Sequence, residues 1–564
     1  MDDKVILLNS NEVVDANPKL LNPDNVQYGE LGVNYHKGTE TISTKNDENG
    51  IAEFVPYSVY DEAIDNIQNE VFYETDEPIG KTGDVWIYKI PPIPMMIEYN
   101  VLADNLSVQL PISGNVNCDI EWGDGSKESV NSNYPTHSYI RAGVYVVKIV
   151  GDFNRLYRGS TNISKILNWG NSNMSLVTVE QAFSSYVNLT EVAGDEFGVL
   201  SRVQSFLRTF FNCSGLTTVS ENLFKYCNAA TNFSGTFLNC TSLSAITDNL
   251  FINCYNATNF SQVFQGCKSL TNIPNNLFAN CINATNFNNI FNGCSNLISI
   301  PEDLFKNNIN ANTFVGAFDS CSGLTGSIPE NLFINNFDVI TFQGTFAGCS
   351  SLTSIPENLF TNCTGVTTFQ EIFNGCSNLN GEIPGGLFRN NVNVTRFDGT
   401  FNGCSRITSI SEELFKYNTN VVNFLSTFYG CFSITSIPEN LFMNNVNVTN
   451  FGFTFASCPN IIEIPENLFK YNIKATNFER VFYGLTKLQA IPNNVFDNNK
   501  NAVSFTRTFE NCSGLTGNTP TGTDGLELWE RAGQTGYPSS IYGTQCFYRA
   551  TRLTNYSSIP TGWK

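Results

Sequence analysis

Cysteine recurs at a fixed interval through the second half of the chain. Cys213, Cys240, Cys267, Cys294 and Cys321 are each 27 residues apart, and Cys349, Cys376, Cys404, Cys431 and Cys458 continue at 27 or 28. Leu485 takes the position once, Cys512 closes the run, and Tyr186 holds the same column in a degenerate first copy. Both 28-residue steps carry one extra residue before Ile-Pro, in GLTGSIP and NLNGEIP. A register this strict, held over about 13 copies between Phe183 and Leu515, requires a solenoid, since stacked copies must share one continuous core.

The columns of one copy show what that core contains. A clear copy is FNGCSNLISIPEDLFKNNINANTF, from Phe291 to Phe314. One phenylalanine closes Pro-Glu-Asn-Leu-Phe (Phe224, Phe251, Phe278, Phe305). A second follows the Asn/Thr segment (Phe233, Phe260, Phe287), and a third stands three residues before the cysteine (Phe210, Phe237, Phe264). Leu-Thr-Ser-Ile, bounded by turn residues, reads as a short strand. Pro-Glu-Asn favours a helical first turn, with proline preset for that position, and Phe-x-Gly-Cys reads as a second helical turn. A parallel ladder of such strands places rungs ~4.8 Å apart, so twelve steps span roughly 60 Å.

Composition narrows the partners. The net charge is −20, and residues 1–96 hold 18 acidic against 6 basic side chains. Nucleic acid and anionic lipid are poor partners for such a chain. No apolar run approaches a membrane span, and MDDKVILLNSNEV has neither a basic n-region nor an apolar h-region, so secretion by the standard route is not expected. Of the seventeen cysteines, eleven share the repeat column. A disulfide framework and a buried row of small apolar residues are both formal readings. The second is favoured, because Leu485 and Tyr186 enter the column without disturbing the period. A minor column (Cys227, Cys254, Cys281, Cys363) alternates with Asn. Cys-x-x-Cys pairs are absent and only His36 and His137 occur, which disfavours metal sites.

Upstream of the repeats, ELGVNY and TISTK, separated by His-Lys-Gly-Thr, read as a small β-hairpin. Residues 57–73, YSVYDEAIDNIQNEVFY, read as the best helix in the chain. Tyr60, Ile64, Ile67 and Val71 form a seam spaced 4, 3 and 4, compatible with a coiled coil or with a helix lying on its own domain. A loop, a strand and a Pro-rich linker follow, to about Met95. Farther on, the alternating VYVVKIV reads as a strand, and Asp124-Gly125 as hairpin-turn chemistry. The segment LYRGSTNISKILNWGNSNMSL and the stretch after Leu515 read as atypical end copies that cap the array.

Three resemblances attach to these residues. The repeat pattern F-x-G-C-S-x-L-T-x-I-P resembles the BspA-like leucine-rich repeats of bacterial surface proteins and gut phage proteins, although these copies are longer. That family implies recognition by a ladder surface and no catalysis. Trp122-Gly123-Asp124-Gly125, followed by His137, Tyr139, Gly143, Tyr145 and Val147, resembles the PKD-type immunoglobulin-like domain, a spacer and adhesion module. YGELGVNYHKGTETISTKND, from Tyr28 to Asp47, resembles a segment near the N-terminus of virion proteins of tailed phages. Any polar hairpin of a secreted repeat protein is the plainer reading of that phrase.

The expected fold class is therefore multidomain α+β. A virion-anchoring hairpin and helix segment occupies 1–96 and a PKD-like β-sandwich 97–152. A long right-handed leucine-rich-repeat-like solenoid occupies 153–515, with a C-terminal cap over 516–564. No phosphate loop, nucleophile elbow or histidine-rich metal signature is present, so no catalytic, cofactor or metal residues are assigned and the ligand-binding residues stay open. His137 with Asp124 suggests acid–base work only formally, since no nucleophile accompanies them. The carboxylate pairs Glu302/Asp303 and Glu412/Glu413 are expected to favour a helix dipole. Asn-x-Thr triplets at Asn256, Asn283 and Asn447 are expected to form ladders that satisfy backbone groups. The expected function is that of a non-enzymatic phage fibre protein, on head or tail. Its N-terminal region contacts other virion proteins and forms a homotrimer, and its solenoid meets host-surface carbohydrate or protein, without nucleic acid or membrane insertion. A bacterial BspA-like surface adhesin is the alternative, and a glycan depolymerase stands behind both.

Overall fold

A computed structural model describes residues 92–171, 173 and 175–564, together with the backbone of six strands between Val5 and Lys89. The chain divides into two compact units, Met1–Pro94 with Gly170–Met174, and Met95–Trp169 with Ser175–Lys564.

In the first unit, β1 (Val5–Asn9) pairs antiparallel with β6 (Val85–Lys89), and β5 (Val71–Phe72) pairs in parallel with β6. The other three strands, β2 (Leu31–His36), β3 (Thr39–Lys45) and β4 (Ile51–Pro56), form an antiparallel meander, with His36 opposite Thr39 across the first turn. The expected hairpin is present as β2–β3. The helix expected over 57–73 is corrected at its end, where Val71–Phe72 is a strand; 57–70 and 73 lie outside the described residues.

The second unit begins with β7 (Met95–Val101), β8 (Leu106–Gln109), β9 (Ile112–Ser113), β10 (Asn117–Glu121), β11 (Lys127–Val130), β12 (Thr136–Tyr139), β13 (Gly143–Asp152) and β14 (Arg155–Leu156). Alternation buries one face of β7, at Met95, Ile97, Tyr99 and Val101, beside its cross-strand partners Val147 and Ile149. Its principal sheet does not stop there. In strand order β11-β10-β13-β7, it continues through β15 (Ile163–Asn168), which pairs antiparallel with β7 and in parallel with β16 (Glu191–Val192), and β16 pairs in parallel with β17 (Thr218–Val219). One hydrogen-bonded sheet thus runs from this antiparallel region into the first repeats.

Within the repeats the α+β expectation is overturned. Among the described residues there is no α-helix, only the 3-10 turns Tyr556–Ser558 and Thr561–Trp563. The reason is local. In the copy FNNIFNGC, Asn289 and Gly293 hold left-handed φ values of 53° and 73°, and a left-handed residue stops helical propagation. The chain instead makes single turns, with the amides of Ile290, Asn292 and Cys294 donating to the carbonyls of Phe287, Asn289 and Phe291. The intervening amides of Phe287, Asn289, Phe291 and Gly293 donate to Thr313, Val315, Ala317 and Asp319 of the following copy, at 2.7–3.2 Å. The stretch expected to be helical is half turn and half inter-copy ladder.

The unbroken ladder also lies elsewhere than expected. Single parallel bridges join the residue before the second phenylalanine from Ser205 and Asn232, through Asn286, Thr313 and Thr341, to Ser504 and Tyr542. The Leu-x-x-Ile segment forms regular strand beyond β17 only as β18 (Gly326–Ser327) with β19 (Leu352–Ser354) and β20 (Gly381–Ile383) with β21 (Ile407–Ile410).

The three phenylalanine columns stack face to face. Phe287–Phe314 and Phe291–Phe318 have centroids 5.5 and 5.7 Å apart, with planes within 13°, whereas Phe305 meets Phe314 at 4.7 Å and 57°. Both arrangements fall in the favourable aromatic range. All of these rings are buried, so each is held by the copies above and below it.

Polar side chains inside the stack cap carbonyls. All seventeen cysteines are free and buried, and each column thiol also donates, as Cys294 Sγ does to Phe264 O at 3.1 Å. In the minor column, Asn308 Nδ2 donates to Phe278 O (3.1 Å) and Cys281 O (2.9 Å), and Cys281 Sγ faces Phe251 O at 3.7 Å. Asn and Cys alternate there because both are small donors aimed at the same carbonyl. Thr345 Oγ1 serves Phe314 and Phe342 in the same way.

At the C-terminal end, the amides of Phe505, Arg507 and Phe509 donate to Tyr542, Thr544 and Cys546, bypassing the Gly-rich insertion. Gln545 and Phe547 then donate to Gly562 and Trp563, whose carbonyls complete the last rung.

Candidate functional site

The interior columns are committed to packing, so what the array can present lies in its outward columns. The carboxylates of the Pro-Glu-Asn segment form one of them. Without a helix they cap no dipole; they accept hydrogen bonds from the next copy instead. Asn331 Nδ2 reaches Glu302 (2.5 Å), Asn358 reaches Glu330 (2.8 Å) and Asn467 reaches Glu439 (2.6 Å). The second carboxylates pair locally, Asp303 with Lys306 and Glu413 with Lys416. The rail is interrupted at Gly385-Gly386, beside an open notch of about 380 Å³ lined by Glu357, Glu382, Arg389 and Glu413.

A second column is apolar. Tyr255, Ile282, Ile309, Phe337, Val392, Val446 and Ile473 occupy one position and are exposed. Beside it the Asn-x-Thr residues form the expected ladders. Asn256, Asn283 and Asn447 donate to Asn228, Tyr255 and Thr419 carbonyls, and Thr258 and Thr285 Oγ1 donate to the carbonyls of Thr231 and Thr258.

A third feature lies in a column whose residue type varies, with Gln262, Asn289 and Glu371 among its members. The left-handed position two residues after the second phenylalanine is Gly235, Gly316, Gly344 or Gly399 in four copies, at φ 59–62°. In three successive copies near the C-terminal end it is Phe453, Arg480 and Arg507, at φ 58°, 51° and 58°. The guanidinium of Arg480 lies over Phe453 (5.0 Å) and Tyr483 (6.0 Å), and that of Arg549 over Tyr548 (5.2 Å). Asn511 joins the two groups, donating from Nδ2 to Tyr483 Oη (3.1 Å) and accepting from Arg549 Nη1 (3.5 Å). Glu479 approaches Arg480 at 3.9 Å and Glu510 approaches Arg507 at 3.4 Å. Arg549 has no carboxylate in ion-pair reach among the described residues. Sequence reasoning did not single out this patch, because the columns were read for what recurs. The available signal was the run of arginine and aromatic residues between Phe453 and Arg549 in columns that otherwise vary.

His137 and Asp124 are brought together, Nε2 to Oδ2 at 2.8 Å, with the imidazole stacked on Trp122 at 4.7 Å. Burial pushes the Asp124 carboxyl up, but hydrogen bonds from Ser126 and His137 outweigh it and hold the group down to about 2. This geometry ties the β10–β11 turn to β12. Among the described residues, no group of three or more His, Cys, Asp or Glu side chains is placed to hold a metal ion, and no helix is long and apolar enough to cross a membrane.

Residues 178–304 and 340–463 match the model of a family described as "Mycoplasma protein of unknown function, DUF285". Those two stretches of the repeat array are similar to the repeats of that family. No curated protein matches the chain. Among solved structures, one described as "Structure of the Toll - Spatzle complex, a molecular hub in Drosophila development and innate immunity" aligns at 14% identity, covering 60% of this chain and 43% of that one, with a TM-score of 0.28. The chain therefore spans less than half of that protein, and a likeness this slight carries no argument.

Proposed function

We propose that the chain is a non-catalytic binding protein on the exterior of a phage particle. In this reading its N-terminal region attaches to other virion proteins, and its repeats meet carbohydrate or protein on the host surface. The observation that carries the binding role is the division of labour within each copy. Phe, Cys, Asn and Thr columns are consumed by stacking and carbonyl capping, while apolar, carboxylate and arginine side chains repeat outward along the array. An extended concatenation of outward columns suits multivalent recognition of a repeating partner. The virion placement rests on the resemblance of Tyr28–Asp47 to tailed-phage proteins. The trimer rests on analogy with fibres, with the PKD-type resemblance of Trp122–Val147 supplying a spacer.

Peptide mass spectrometry of gradient-purified phage particles tests the placement, and adsorption assays in the presence of the purified chain test the role. Absence from particles, together with undiminished adsorption, sinks the reading. The bacterial description of the matched family favours a second reading, a BspA-like adhesin of a bacterial cell surface. Labelling of intact cells with a membrane-impermeant reagent separates the two.

A further inference from the structure

One outward patch gathers arginine and aromatic side chains from neighbouring rungs: Phe453, Arg480, Tyr483, Arg507, Asn511, Tyr548 and Arg549. Its guanidiniums lie over aromatic rings, at 5.0 Å for Arg480 on Phe453 and 5.2 Å for Arg549 on Tyr548. A stacked guanidinium keeps its in-plane donors free for a planar anion. Tyr429 and Tyr483 occupy the same column as Tyr548, and Tyr429 is exposed, which adds flat apolar faces on the scale of a sugar ring. The left-handed φ of Phe453, Arg480 and Arg507 belongs to the repeat itself, since Gln262, Asn289 and Ser426 hold it at the same position in other copies. Glu479 and Glu510 face Arg480 and Arg507, which leaves Arg549 as the guanidinium of the patch without a carboxylate in ion-pair reach among the described residues.

We propose that this patch binds an acidic glycan, a chain of pyranose rings bearing carboxylates, with Arg480 and Arg549 on the carboxylates and Tyr483 and Tyr548 beneath the rings. Arg507, paired with Glu510 at 3.4 Å, supports the site more than it reads the ligand. The proposal rests on the reading of the chain as a binding protein and specifies its ligand class.

The test is calorimetry on the full chain with hyaluronan oligosaccharides, which carry one uronate per disaccharide, beside neutral chitooligosaccharides of the same length. The expected result is uronate binding that weakens with added salt, with little or none for the neutral series. Arg549→Gln should weaken it about tenfold, as loss of one charge-assisted contact does. Arg480→Gly is the sharper variant. It should weaken binding as much while leaving the thermal midpoint equal or higher, because glycine adopts this φ without strain. Equal affinity for the neutral series, no heat with uronate oligosaccharides up to millimolar concentration, or unchanged affinity in both variants would each overturn the proposal. Absence of the chain from phage particles would sink the virion placement and leave the patch standing. Presence on particles without uronate binding would sink the patch alone.

Discussion

Arg531 donates from Nη1 to the carbonyl of Phe496 at 3.3 Å, the service that Asn499 Nδ2 renders to Phe469 at 3.1 Å one copy earlier. The closing segment no longer carries the repeat at that point, yet the carbonyl column is still capped. Asp497 lies 3.7 Å from the same guanidinium and Tyr537 lies over it at 5.6 Å, which makes burial of the charge tolerable.

Arg531→Ala leaves Phe496 without its cap. A buried carbonyl that loses its partner costs about 1–3 kcal/mol. Hydrogen exchange should show the last rungs, 496–554, opening first while the copies around Cys294 keep their protection. Equal loosening along the whole array would contradict the capping role.

Cys349 distinguishes packing from hydrogen bonding. Its thiol donates to Phe318 O at 3.1 Å, so serine at this position keeps a donor and alanine does not. Urea melts should find Cys349→Ser less damaging than Cys349→Ala, with the alanine variant losing about 1–3 kcal/mol. Burial raises the thiol pKa of the column, to about 12 at Cys294. Native protein should therefore resist alkylation at pH 8, and denatured protein should accept label at all seventeen cysteines without reductant.

Phe346 stacks between Phe318 (5.6 Å) and Phe373 (5.9 Å). Phe346→Ala should cost about 3–5 kcal/mol and loosen both neighbours before any distant rung. A different result is expected at the N-terminal end. Because β15 joins β7 to β16, destabilising Ile166 should unprotect the 95–152 region and the first repeats together. Hydrogen exchange that separates those two would refute a cooperative sheet.

Asp124 gives a pH signature. Its folded pKa, about 2, lies below the ordinary value of 3.8. The stability it contributes is fully present above the unfolded pKa and is lost as pH falls through the folded value. Between about pH 4 and pH 2, the wild-type chain should therefore lose more thermal stability than Asp124→Asn, which has no carboxylate to protonate. Parallel melting curves for the two proteins across that window would remove Asp124 from the account.

The period, the interior phenylalanine columns, the unbridged thiols and the Asn/Thr ladders were legible in the sequence because each imposes a residue type at a fixed spacing. The helical turns were misread for a physical reason. The left-handed residue before the cysteine is Gly293 in one copy but Asn239, Ser320 or Ser457 in others, and Asn and Ser carry no clear prohibition against helix. The expected dipole role of Glu302 fell with the helix, and its partner, Asn331, stands 29 residues away, beyond any local pattern. The arginine patch stayed hidden because its column changes residue type from copy to copy, as Gln262, Asn289, Glu371 and Arg480 do.

Every copy donates amides forward, as Phe287 does to Thr313, and backward, as Thr285 does to Thr258, until Gly562 and Trp563 accept the last of the forward ones. A gene that gains or loses one whole copy therefore leaves both ends correctly closed, since any interior copy presents the same acceptors and donors to whatever neighbour it meets. Single added residues are absorbed as well, at Gly326 and Gly381, where φ values of 76° and 80° turn the extra unit outward. Unequal recombination between copies can thus lengthen or shorten the array in increments of one rung.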